Sequence, residues 1–130
     1  MAERSGYWIR QAERDLESAK AQARDEFHEW ACFISQQAAE KACKAVFQNW
    51  GAEAWGHSLS NLVKGMKTKC KIPERISDAA RNLDRHYIPS RYPNGFDSGT
   101  PADYFTGEDA EHAIRDSESI IRFCKDLLAR

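Results

Sequence analysis

Trp8, Ala12, Leu16, Ala19 and Ala23 recur at spacings of four, four, three and four. That interval lines up side chains along one face of a helix with 3.6 residues per turn. No stretch keeps up the period-two alternation of a half-buried strand, so apolar residues are covered only by packing helix on helix, and an all-α bundle follows. The first helix is expected from Ser5 to Arg24. A second, from about Phe27 to Trp50, carries Trp30, Phe33, Ile34, Ala38, Ala42, Ala45 and Val46, with Gly51 where a C-terminal cap belongs. Its alanines permit close approach of neighbouring helices. Ser58 is placed to N-cap a shorter helix from about Leu59 to Thr68, and Pro73 suits the first turn of another that runs to about His86. Ile88 precedes Pro89, which disfavours helix at that point. A last helix opens at "TGED", where Thr106 and Asp109 have capping-box spacing. It continues through a stripe of Ala110, Ile114, Ser117, Ile121, Cys124 and Leu128, widened by Ala113, Ile120 and Leu127.

A chain of 130 residues with 42% hydrophobic and 30% charged composition is one domain's worth of polymer. Its start, "MAERSGYWIRQAERDL", alternates charge with apolar residues and has no secretory h-region. No apolar stretch is long enough to span a bilayer. Cys32, Cys43, Cys70 and Cys124 lack CxxC spacing, which favours reduced thiols and a cytoplasmic location. No HExxH or comparable set suggests a metal site, no Walker-type glycine loop is present, and no cofactor is implied.

The net charge of −1 hides an asymmetry. Between Lys64 and Arg91 lie eight basic residues against three acidic ones, a local balance of +5. A basic segment beside an aromatic loop attracts phosphate, in a nucleotide or in RNA; the plainer alternative is a solvated helix face. The loop from Tyr87 to Phe105 is long for a connector. Tyr87, Tyr92, Phe96, Tyr104 and Phe105 offer faces for stacking a base, and Arg91 offers a planar fork for phosphate. Alternatively the rings seal the end of the bundle, and Arg91 bonds to loop carbonyls or to an acid such as Asp15. Gln37 and Lys41, four apart, either line a cleft or form a helical surface pair. His57 reads as a helix-start residue, and His28 and His112 have no evident partner.

Several segments together are similar to one known family: "YWIRQAERDLESAKAQ", "CFISQQAAEKACKAVFQNWG", "HSLSNLV" and "LDRHYIPSRYPN". The chain resembles the HEPN domain family, named for higher-eukaryote and prokaryote nucleotide-binding domains. The likeness is to the branch related to the C-terminal domain of sacsin and to small prokaryotic stand-alone proteins. "SQQAAEKACKA" and "YIPSRYPN" carry most of it. The resemblance implies a four- to five-helix up-and-down bundle with a long loop before the last helix. It also implies a homodimer, often encoded beside a minimal nucleotidyltransferase as a toxin–antitoxin pair.

The family's best-known chemistry is metal-independent RNA cleavage by an arginine, usually followed by a polar residue, and a histidine separated from the arginine by four to six intervening positions. Arg81, Asn82 and His86 fit that pattern. A histidine of near-neutral pKa takes the proton from a ribose 2′-hydroxyl, and an arginine stabilises charge on the phosphoryl oxygens. Asn82 and His86, four apart, share a helix face, so the amide can orient the ring. Arg81 and His86 lie roughly 140° apart around a continuous helix. Either the helix ends near Arg85, or two copies of the chain lend residues to a shared cleft. In nucleotidyltransferase-paired relatives a tyrosine two positions beyond the histidine takes up AMP; here Tyr87 follows at once and Ile88 holds that place. Three readings result: a module binding nucleotide or RNA through Arg91, Tyr92, Tyr87, Lys41, Gln37 and Arg85, a ribonuclease toxin using Arg81 and His86, or a ligand-free dimerising bundle.

Overall fold

The computed structural model describes residues 3–88 and 90–130, and Pro89, on which the expected helix break partly rested, lies outside them. The described residues are helical without strands: α1 (Ser5–Arg24), α2 (His28–Asn49), α3 (Leu59–Met66), α4 (Glu74–Asp84), α5 (Pro101–Tyr104) and α6 (Gly107–Leu128). α1 and α2 form a hairpin on which α6 packs, and α3 and α4 close the remaining side, α4 lying against α6.

Periodicity located the helices well but rotated two of them. On α1 the buried residues are Ser5, Ile9, Ala12, Leu16 and Ala19, while Trp8 and Ala23 are only half-buried. On α2, Trp30 is exposed and Phe33 and Ile34 are half-buried. The core face there is mostly small, Ala31, Cys32, Ser35, Ala38, Ala39, Ala42, Cys43 and Ala45, with Val46 buried as expected and the polar Gln36 and Glu40 buried beside them. Small residues let α1 and α6 approach closely, and bulky aromatics cannot occupy that seam. The large core side chains come instead from the shorter helices and α6, with Leu59, Met66, Ile76, Leu83 and Ile120 fully buried. All four cysteines are free thiols, and burial, with Asp109 and Glu29 nearby, pushes Cys32 up to about 12.

Two caps place the functional end of the bundle. Ser58 caps α3 as expected, its Oγ accepting from the Asn61 amide at 3.2 Å. Asp84, the last residue of α4, adds its carboxylate, which accepts from the amides of Leu59 (2.8 Å) and Ser60 (2.9 Å) and from Ser58 Oγ (3.2 Å). A carboxylate on the free amides of a helix start satisfies donors that the helix itself cannot. The end of α4 is thereby fastened to the start of α3, and the chain after Asp84 leaves in a fixed direction. Thr106 and Asp109 form a full capping box at the start of α6. The long loop is not structureless: it holds a 3-10 turn (Pro93–Gly95) and α5, with its own capping box from Thr100 and Asp103. Pro73 stands at the N-cap of α4 rather than inside its first turn.

Candidate functional site

α4 ends at Asp84 with Arg85 as its C-cap, so His86 and Tyr87 lie in the following turn, their amides bonded to the carbonyls of Leu83 (2.9 Å) and Asp84 (3.3 Å). Ser90 Oγ donates to the His86 carbonyl. This turn faces the first half of α6, and between them lies a cleft of about 380 Å³. One wall is Asn82, Arg85 and His86; the other is Asp109, His112, Arg115 and Asp116. Asp109, His112 and Asp116 follow one another at three and four positions, one stripe along a helix.

His86 is half-buried, its ring edge-on to Phe105 at 5.5 Å. Burial holds its pKa below the ordinary imidazole value; the Asp109 carboxylate opposes that shift and the Arg85 guanidinium reinforces it. A ring in this setting is neutral near pH 7 and able to accept a proton. Asp116 is shifted the other way: burial raises its pKa, against the Asn82 side-chain hydrogen bond and the charges of His112 and Arg115. Asn82 lines the cleft beside His86, with Asp116 on the facing wall.

Arg81 does not line this cleft. Its guanidinium lies on the exposed flank of α4, paired with Asp78 and, at 3.6 Å, with Glu74. The helix ends where the separation of Arg81 from His86 required, yet the turn carries His86 toward α6 instead of toward Arg81. Arg85 is the motif-region arginine beside the histidine within one chain.

Of the remaining candidates, Arg91, Tyr87 and Tyr92 come together, whereas Lys41 pairs with Asp15 of α1. The Arg91 guanidinium sits 4.4 Å from the Phe33 ring, 4.7 Å from Tyr87 and 5.0 Å from Tyr92. Its Nε donates to the Tyr87 carbonyl at 3.0 Å. Asp15 is bound by Lys41 at 2.6 Å, so it is the loop-carbonyl alternative that describes Arg91. Gln37 donates to Gln36 Oε1 (2.7 Å) and Glu40 (3.3 Å). His57 does more than start a helix: its Nδ1 lies 3.0 Å from the buried Glu40 carboxylate and its ring stacks on Tyr87 at 5.0 Å. In the long loop Phe96 stacks on Tyr104 at 4.2 Å and meets Phe105 edge-on, which closes this end of the bundle.

Sequence reasoning missed the whole α6 wall. The signal was present in the polar stripe of Asp109, His112 and Asp116, set apart from the apolar stripe of that helix, but only packing against α4 shows what the stripe faces. Among the described residues no group of three or more His, Cys, Asp or Glu could hold a metal ion, and no helix is long and apolar enough to cross a membrane.

Residues 5–127 match the HEPN domain family. A Methanocaldococcus jannaschii protein named "Putative toxin MJ1304" is 30% identical, with 93% of this chain and 86% of the relative covered. Among solved structures, TT1696 from Thermus thermophilus superposes with a TM-score of 0.93 at 35% identity, covering 96% of this chain and 98% of that one. An archaeal HEPN homologue gives 0.82 at 40% identity (97% and 98% covered). A HEPN domain protein of Thermotoga maritima gives 0.80 at 42% (95% and 98%).

Proposed function

The chain belongs to the HEPN domain family, and from that premise we propose that it is a toxin-like RNA-cleaving module whose α4–α6 cleft breaks phosphodiesters without a metal ion. The observation that carries this reading is the half-buried His86, its pKa depressed, in a cleft to which two helices contribute Arg85 and Arg115. Neutral His86 takes the proton of a ribose 2′-hydroxyl, and the freed oxygen attacks the adjacent phosphorus. Arg85 and Arg115 hold the non-bridging oxygens as charge builds on them. The name of the Methanocaldococcus jannaschii relative supports the toxin part of the reading. A homodimer acting beside a minimal nucleotidyltransferase completes it. In such a dimer Arg81, outside its own cleft, serves the cleft of the other copy.

Purified protein in excess chelator is expected to cleave single-stranded RNA and leave 2′,3′-cyclic phosphate ends, with His86→Ala inactive but still binding. Intact RNA under these conditions, together with wild type and His86→Ala equally harmless in cells lacking the partner, overturns the nuclease. The second reading, a module that binds nucleotide or RNA without cleaving it, is favoured by one observation: Arg81 is already neutralised by Asp78 and Glu74.

A further inference from the structure

Deprotonating the 2′-hydroxyl is half of a transphosphorylation. The 5′-oxygen that leaves carries the electrons of the broken P–O bond and is a poor leaving group until protonated. An in-line displacement also puts attacking and leaving oxygens on opposite sides of phosphorus. A single imidazole therefore does not reach both, and the second proton has to come from the facing wall.

The α6 side of the cleft carries one imidazole. His112 stands on α6, across the cleft from His86. The two rings have contrasting surroundings. His86 is half-buried against Phe105, whereas His112 is exposed at the cleft mouth. Asp116 lies one turn along α6 from His112 and lines the same cleft, with Asn82 opposite on α4. Asp109 lies one turn before His112, and Arg115 and Arg85 complete the charges that face it. Histidines in unlike environments, one half-buried and favouring the neutral ring, the other exposed on a helix face between two carboxylates, are suited to opposite proton-transfer roles.

Resting on the nuclease reading above, we infer that His112 is the general acid of the cleft and that Asp116, one turn along the same face of α6, is its positioning residue. The step balances. The 2′-O–H proton passes to His86, the 2′-oxygen bonds to phosphorus, and the P–O5′ bond breaks. The His112 imidazolium gives its proton to the 5′-oxygen. The products are a 2′,3′-cyclic phosphate and a 5′-hydroxyl, with His86 charged and His112 neutral until both exchange protons with water.

The test compares an oligoribonucleotide with one whose scissile 5′-oxygen is replaced by sulfur, since a thiolate leaves without protonation. Both are cleaved in excess chelator by wild type, His86→Ala, His112→Ala and Asp116→Asn. His112→Ala is expected to lose roughly 10²–10⁴-fold on the oxygen substrate and to approach wild type on the sulfur one. His86→Ala loses on both. Asp116→Asn shows a smaller loss on oxygen that sulfur also restores, which a merely structural role would not produce. Thermal melts check that the substitution at exposed His112 leaves the fold intact. Wild-type rates for His112→Ala on oxygen RNA, or equal losses on both substrates, overturn the inference while the nuclease reading stands. No cleavage of either substrate by wild type overturns both.

Discussion

His86 couples the cleft to pH in two measurable ways. Its folded-state pKa is depressed, so the unfolded chain binds the proton more readily. The stability associated with the neutral ring is present above the ordinary imidazole value of about 6.5 and is lost as pH falls through the lower folded value. His86→Gln is expected to flatten that part of the stability profile, measured by urea denaturation between pH 7.5 and pH 5; an unchanged slope would show that the ring is not desolvated as described. Catalysis limited by His86 should likewise hold up below the ordinary imidazole range before it falls. Arg91 gives a second expectation. With its guanidinium over three rings, Arg91→Ala should cost about 1–2 kcal/mol. Arg91→Lys should recover little of it, because an ammonium lacks the planar face and the Nε donor to the Tyr87 carbonyl. The nucleotide-binding role suggested by the charge and the aromatic loop concerns this same residue, and its packing against its own neighbours is what a stability measurement reads.

The helix termini are where short sequence signals have long consequences. Ser58 and the "TGED" start were legible because an N-cap and its partner lie within one turn. Asp84 was not, because the amides it caps are 24 and 25 positions earlier in the chain. Asp84→Ala is expected to cost about 2 kcal/mol, at the upper end for loss of a cap. It should also reduce any cleavage activity, because the same carboxylate fixes the turn that carries Arg85 and His86; retention of full activity with lowered stability would separate the two roles. α2 shows the complementary case. Its run of alanines permits close packing, and Ala39→Leu should destabilise by about 1–3 kcal/mol through overpacking, seen as a lowered denaturation midpoint.

The molecule as a whole presents one arginine of the motif region to its own cleft and another to solvent. If Arg81 completes the cleft of a second copy, Arg81→Ala and His86→Ala should each be inactive alone, and a mixture should regain activity. In the mixed dimer one cleft has both an intact His86 and an intact Arg81 from its neighbour. Sedimentation of the wild type at micromolar concentration should show the dimer that this requires. A monomer, or a mixture as inactive as its parts, would confine the chemistry to Arg85 and Arg115.

The amino-acid sequence alone determined that this chain is helical, where its helices begin and end to within a few residues, and which family it resembles. Helical periodicity, caps and turn residues act over a few positions, so they can be read one segment at a time. Tertiary packing decided which face of each helix is core, placing Ile9 in it, leaving Trp8 half-buried and exposing Trp30, because a seam of alanines admits only certain neighbours. It also set Asn82, Arg85 and His86 opposite Asp109, His112 and Asp116. Those pairings join α4 to α6 across the long loop, and burial and facing side chains at that separation exist only once the bundle has closed.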